Sequence, residues 1–378
     1  MTDAVIAGYA RSPLTLANKG GLVRTRPDDL AAAVVKALVE RSGVDPDTVE
    51  DLVLGCAFPE GEQGLNVARN IVFLAGLPNS VAGTTINRFC GSSMQAIHTA
   101  AGSIAMGAGE AFICAGIESM TRIPMPGFNP MLNPTLVKAE HAAYMGMGET
   151  AENLAKKYEI SRDKQDAFAV ESHKRAAAAQ AAGKFDDEIV PIETKDGVVD
   201  KDGCIRPDTT MYVLADLNPA FDQAGSVTAG TSSPLTDGSA AVLVTSEAYA
   251  KKHGLTPLAR IKSIAVAGCD PEIMGIGPVN ATNKALDRAG LKLDDIDVIE
   301  LNEAFAAQSL AVVHDLNIDL SKTNIDGGAI ALGHPLGATG ARITGKAAQI
   351  MRREGKKYAL ATQCIGGGQG IATVLEAL

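Results

Sequence analysis

Tryptophan is missing from the 378 residues, and aromatic side chains make up only 4% of them. A core must therefore be assembled from Ala, Val, Ile, Leu and Gly, small enough to let helices and backbone approach closely. Cysteine is sparse: six residues, at 56, 90, 114, 204, 269 and 364, with no C-x-x-C pair. This spacing argues against a disulfide scaffold or a structural zinc site and leaves free thiols in a reduced compartment. Positive charge is in deficit, with 34 Lys and Arg against 44 Asp and Glu. A nucleic-acid or anionic-membrane surface is thus not expected, and a phosphorylated ligand would need a local basic cluster. No apolar run is long enough to span a bilayer, and Met1-Thr2-Asp3-Ala4 lacks the basic region of a secretory signal or transit peptide. A cytoplasmic location without transmembrane segments is the expectation.

What is present is a folded composition, 46% hydrophobic and 21% charged, in a chain too long for one ordinary core. Two domains or a duplicated core are expected. A repeat favours duplication. Gly43 to Phe58 runs in register with Gly290 to Phe305; each follows a helical stretch containing Lys-Ala-Leu, turns at Asp-rich residues into an apolar strand and ends on Ala-Phe. Further on, the strands Ala111–Gly116 and Tyr358–Thr362 correspond. The closing strand Gly370–Leu375 finds its counterpart only at Gly238–Val244, so a segment is inserted into the first copy between about 120 and 225. The insertion opens with Pro124, Pro126, Pro130 and Pro134, a loop composition, and continues into a helix capped by Ser161. Strands alternating with Ala-rich helices predict an α/β architecture, and a site at the junction of two similar halves would draw residues from both.

Four segments could carry chemistry. Cys90 precedes Met94, Ile97, Ala101, Ile104 and Ala105, a helical spacing, so it falls at a helix start where dipole and free N–H groups favour a thiolate; alone it is equally a small buried core cysteine. His334, between Gly333 and Pro335 in Gly327–Gly340, is held rigidly with little cover, which suits an imidazole that takes a proton from a thiol. Cys364 stands before Gly366-Gly367-Gly368, whose N–H groups can converge on an anion; a tight turn between strands is the plainer reading. Asn302-Glu303-Ala304-Phe305 ends the repeated strand, where α/β sites usually lie, and an amide there can hold a water or polarise a carbonyl. The remaining cysteines and histidines read as packing, surface or structural residues.

Together, Asn87 to Met94, Asn302 to Ala306, Gly327 to Gly340 and Cys364 to Gly370 resemble the thiolase family, in its order and spacing and over essentially the whole chain. The resemblance implies two βαβαβαββ halves in a five-layered α-β-α-β-α arrangement: 1–119 with 226–255, then 256–378, with a CoA-binding loop domain at 120–225. It puts the nucleophile on Cys90, the proton-shuttling thiol on Cys364, the activating histidine on His334 and the water-holding amide on Asn302. One oxyanion hole would use the N–H groups of Cys90 and Gly366. Arg206, Phe221 and Ser233 match CoA contacts, while Met147, Met274 and Phe305 match the substrate pocket. The implied activity is a CoA-dependent acyltransferase with CoA as substrate and no metal or permanently bound cofactor. A homodimer or homotetramer is implied, with association with a hydratase/dehydrogenase subunit of a β-oxidation complex. Biosynthetic-type members, which make or cleave acetoacetyl-CoA, carry His-Met-Gly where this chain has Gly146-Met147-Gly148. Thr228–Asp237 and Gly268–Pro271 look more like the degradative branch that cleaves 3-oxoacyl-CoA. A decarboxylating ketosynthase is disfavoured by Cys364, and a non-catalytic acyl-CoA carrier by four intact motifs.

Overall fold

A computed structural model describes residues 2–378. Its principal strands are β1 (Ala4–Arg11), β2 (Asp51–Gly55), β3 (Ala82–Ile86), β4 (Ala111–Ser119), β5 (Thr236–Ser246), β6 (Ala259–Gly268), β7 (Val298–Leu301), β8 (Tyr358–Ile365) and β9 (Gln369–Glu376). The helices that frame them are α1 (Pro27–Ser42), α2 (Val67–Leu74), α3 (Ser92–Ala105), α4 (Met147–Lys157), α5 (Arg162–Ala181), α6 (Gly277–Ala289), α7 (Ala306–Leu316) and α8 (Leu336–Arg353).

The repeat is visible in how its elements end. Helix α1 stops at Gly43, φ 71°, and α6 at Gly290, φ 67°, both left-handed caps open to glycine without strain. A 3₁₀ turn follows each, and then a strand, β2 or β7, pairs in parallel with its neighbour. Strands β4 and β5 pair antiparallel and are buried along their whole length, so they carry unbroken apolar or small-residue runs. Strands β8 and β9 form the equivalent pair.

The order β7–β8–β9–β6–β1–β5–β4–β2–β3 makes one ten-stranded sheet, with the short strand Thr15–Leu16 added on β5. The half-sheets join through a two-residue antiparallel contact, Val5 with Arg260 and Ile6 with Ala259. Helices α1 and α2 cover the first half-sheet, α6 and α7 the second, and α3 with α8 fills the layer between. This is the expected α-β-α-β-α stacking, with the two half-sheets stitched at β1 and β6.

Small residues make the middle layer possible. A methyl group on Gly340 would lie 2.2 Å from the Met94 nitrogen, so α3 and α8 could not pack as they do with any side chain there. Nearly all of α8 is buried, including two cations: Arg342 stands 3.6 Å from Glu300, and Lys346 bonds Glu188 at 2.9 Å and Asp326 at 3.1 Å. Pairing of this kind is what lets such charges stay inside.

The chain leaves the sheet after Ser119 and returns at Thr236. Between them lie α4, α5, a small ribbon of Ile192–Thr194 with Gly197–Val199, and short helices at Pro134–Ala139 and Met211–Ala215. Buried Arg11 ties this segment to β1 through Glu188 at 2.7 Å and a two-pronged contact with Asp202 at 2.7 and 2.8 Å. Among the described residues no helix is long and apolar enough to cross a membrane.

Candidate active site

Cys90 occupies a 3₁₀ turn, Phe89–Gly91, directly ahead of α3. Phe89 holds φ +44°, an uncommon value for a residue with a side chain. Local polar groups fix it: Asn87 Oδ1 accepts from the Phe89 N–H at 2.7 Å, and Ser92 Oγ donates to the Phe89 carbonyl at 2.6 Å while accepting from the Arg88 N–H at 2.9 Å. A strained turn clamped in this way aims the sulfur outward from the helix start.

The helix start was expected to favour a thiolate, and the structure corrects that emphasis. Burial pushes the Cys90 thiol up to about 11. The N–H groups of Gly366 and of Cys90 itself, both at the sulfur, pull the other way but do not win. The thiol is therefore protonated at neutral pH and needs a base.

His334 supplies one. Burial, helped by the positive charge of Arg342, pushes it down to about 3, so it is a neutral imidazole. Its Nδ1 lies 2.6 Å from Thr339 Oγ1, and that hydroxyl is 3.3 Å from the Pro335 carbonyl to which it donates. The hydrogen-bond network thus assigns the proton to Nδ1 and leaves Nε2 as acceptor. The backbone is pinned as well, with the His334 N–H donating to Thr236 Oγ1 at 3.0 Å. Asn302 Nδ2 lies 3.4 Å from His334 Nε2, while buried Asn302 Oδ1 has no partner among the described residues. Glu303 beside it is no base: its carboxylate accepts from Ser172 Oγ at 2.6 Å, Asn324 Nδ2 at 2.8 Å and the Ile330 N–H at 3.2 Å.

Cys364 is buried near the end of β8, its thiol raised well above the usual range by burial and then by Cys90. Gly366-Gly367-Gly368 closes the hairpin from Ile365 to Gln369, with φ +77° at Gly367 and +81° at Gly368. The segment is a tight turn between strands, and it presents the Gly366 N–H to the Cys90 sulfur.

These groups meet at a cavity of about 510 Å³. Cys90, His334 and Cys364 line it together with Met147, Met274, Phe305, Phe221 and Ser233, eight of the residues singled out from sequence. Gly146 is also in the wall, and Met120, Met125, Leu235 and Leu336 make much of the remainder apolar. Asn302 sits behind His334, fully buried. Arg206 is not in the wall; it is exposed on the inserted segment, its backbone N–H donating to buried His173 at 3.1 Å. His98 and His173 are buried and structural.

Sequence reasoning missed several supports. Thr339 lies in the glycine-rich stretch around His334, and a hydroxyl in the first turn of the helix behind the histidine was the available signal. Thr236 and Glu118 carried none. Glu118 accepts from Ala57 N–H at 2.8 Å, Gln63 Nε2 at 2.8 Å and Gly337 N–H at 2.9 Å, joining the end of β2 to the start of α8. Among the described residues no group of three or more His, Cys, Asp or Glu could hold a metal.

A thiol beside a neutral imidazole, with backbone N–H groups at the sulfur, suits the passage of an acyl group between thiols, and acyltransferase is the class that fold and cavity define together. Comparison with known proteins narrows this. Residues 4–248 match the thiolase N-terminal domain and residues 255–377 the thiolase C-terminal domain. The chain is 49% identical over 391 residues to the 3-ketoacyl-CoA thiolase of Bacillus subtilis (strain 168), with all of both chains covered. It is 50% identical over 389 residues to the 3-ketoacyl-CoA thiolase of Idiomarina loihiensis, again with all of both chains covered. Among solved structures, human mitochondrial 3-ketoacyl-CoA thiolase in complex with CoA superposes with a TM-score of 0.92 at 41% identity, covering 100% of this chain and 98% of that one. The chain belongs to the thiolase family.

Proposed function

We propose that the chain is a 3-ketoacyl-CoA thiolase, cleaving 3-oxoacyl-CoA with CoA to acetyl-CoA and a shortened acyl-CoA. The observation that carries the reading is the convergence of two thiols and a neutral imidazole, from a 3₁₀ turn, the end of a strand and a glycine-flanked loop, on one apolar-walled cavity. Full-length similarity to proteins of that name supports it.

In this reading His334 Nε2 takes the Cys90 proton as the sulfur attacks the 3-keto carbon, whose oxygen is received by the N–H groups of Cys90 and Gly366. Cleavage of the Cα–Cβ bond leaves the acyl group on Cys90 and releases an acetyl-CoA enolate. His334 and a water held by Asn302 Oδ1 stabilise the enolate oxygen, and Cys364 protonates the carbon. The resulting Cys364 thiolate deprotonates incoming CoA, which attacks the acyl-enzyme, and Cys90 leaves as a thiolate that recovers its proton from His334. The raised thiols and the neutral imidazole support this order, since every proton then has a donor and an acceptor at neutral pH.

The segment 120–225 serves as the CoA-binding loop domain, inserted into the first half (1–119 and 226–255), which the second half (256–378) follows. Arg206 is suited to the nucleotide of CoA, Ser233 and Phe221 to the pantetheine, and Met147, Met274 and Phe305 to the acyl chain. The functional unit is a homodimer or homotetramer. The outer edge of β3, beside exposed Leu65, Phe73 and Leu74, supports self-association, because an uncovered strand edge is a pairing template. A cytoplasmic setting and association with a hydratase/dehydrogenase subunit complete the reading.

Thiolysis rates measured across 3-oxoacyl-CoA of four to sixteen carbons test it. Activity extending beyond four carbons is expected; a sharp four-carbon optimum would instead identify an acetoacetyl-CoA thiolase, and no thiolysis at any length would refute both.

A further inference from the structure

Side chains alternate along β8, so Gln363 and Ile365 face away from Cys364. Cys364 lines the cavity, whereas Gln363 and Ile365 meet the nucleophile turn of the other half. Gln363 Nε2 donates to the Cys90 carbonyl, and a methyl group on Gly91 would stand 2.5 Å from Ile365 Cδ1. On the far side of the glycine turn, Arg88 Nη1 donates to Gln369 Oε1 at 2.8 Å. The nucleophile turn is thus gripped on both sides of Gly366, the residue whose N–H faces the Cys90 sulfur.

Gln363 is fully buried, and its Oε1 has no partner among the described residues. A buried acceptor left unsatisfied costs folding free energy that an apolar side chain of equal length would not. The residue is therefore a poor choice for stability alone.

We propose that Gln363 is a positioning residue: its bond to the Cys90 carbonyl registers the nucleophile turn of one half against the glycine turn of the other. It acts through Cys90 and Gly366 and touches no substrate. The inference rests on the acyl-transfer reading above. Misplacement of a reacting group by about 1 Å costs on the order of 100-fold in rate; with Ile365 and Arg88 still in place, a loss of about tenfold is expected.

The test compares the full-length protein with Gln363→Met and Gln369→Leu, using 3-oxooctanoyl-CoA and CoA. Gln363→Met should lose about tenfold in kcat, keep KM for CoA within about twofold and melt no lower than the unsubstituted chain. Gln369→Leu, which removes the outer grip, should lose less. Unchanged kcat in Gln363→Met overturns the proposal. So does a lowered Tm or a failure to fold, because the glutamine would then be a stabilising residue. Should the unsubstituted chain not turn over, the thiolase reading fails instead. Alkylation of Cys90 by iodoacetamide then judges the clamp without a CoA substrate: a rate altered by about threefold or more in Gln363→Met supports it, and an equal rate refutes it.

Discussion

Helix α3 begins two residues after Cys90 in the first half, and α8 begins two residues after His334 in the second. Both helices lead into a strand of a buried antiparallel pair, β4 with β5 and β8 with β9. The proposed nucleophile and the proposed base thus occupy corresponding places in a duplicated unit, and packing α3 against α8 brings the two helix starts to one seam. The halves differ where each needs something the other does not. At the strand end of the repeat the first half has Gly55, where a methyl group would lie 2.3 Å from the Ser93 nitrogen; the second half has Asn302, turned to His334. The connection from β8 to β9 is three glycines, while that from β4 to β5 is the long inserted segment with α4 and α5. Duplication supplied the seam, and divergence of loops supplied the chemistry.

The sharpest way to break this comparison is at the nucleophile. Cys90→Ala should lower thiolysis on the order of 10⁴-fold or more, while CoA affinity measured by calorimetry stays within a few fold. Full activity would detach the start of α3 from the reaction.

A smaller effect separates the two connections. Gly368 has φ +81°, and a methyl group there would lie 2.3 Å from the Cys269 carbonyl oxygen. Gly368→Ala is expected to destabilise by about 3 kcal/mol, whereas Leu132→Ala in the exposed opening of the insertion should stay within about 0.5 kcal/mol. Similar melting temperatures for the two variants would show that the short turn is no more constrained than the long segment.

The smallest effect concerns a buried carboxylate of the second half, Asp326, which also meets Lys184 of the insertion at 3.3 Å. Burial alone would raise the Asp326 carboxyl, but Arg353 and Lys346 hold it down to about 2. A carboxylate whose folded value lies below its unfolded value adds stability above the unfolded value, and loses it as pH falls from about 4 through about 2. The contribution is roughly 2 kcal/mol. Denaturant midpoints for Asp326→Asn should therefore show a flatter acid limb in that window; an unchanged slope would remove Asp326 from the linkage.

Much of this was legible in the sequence because it lies within short segments. Gly43–Phe58 and Gly290–Phe305 announced the duplication, and glycines around His334 and after Cys364 announced constrained backbone beside reactive groups. The proline-rich opening at Pro124–Pro134 marked where the first copy is interrupted. What stayed hidden depends on contacts between distant residues. Nothing near Thr236 indicates that its hydroxyl holds His334, and nothing near Glu118 indicates that it bonds the start of α8. The expected thiolate at Cys90 rested on the helix end, and burial of the sulfur outweighs it. The stitching of the half-sheets at β1 and β6 is likewise a tertiary event of only two residue pairs.

Acyl transfer through Cys90 with Cys364 as the proton carrier is the step on which the proposed function depends. Cys364→Ala incubated with a 3-oxoacyl-CoA, then analysed by intact mass and peptide mapping, tests both parts at once. One acyl group on the Cys90 peptide with turnover slowed by about 10³-fold is the predicted result. An acyl group on any other residue, or undiminished turnover without one on Cys90, would contradict it.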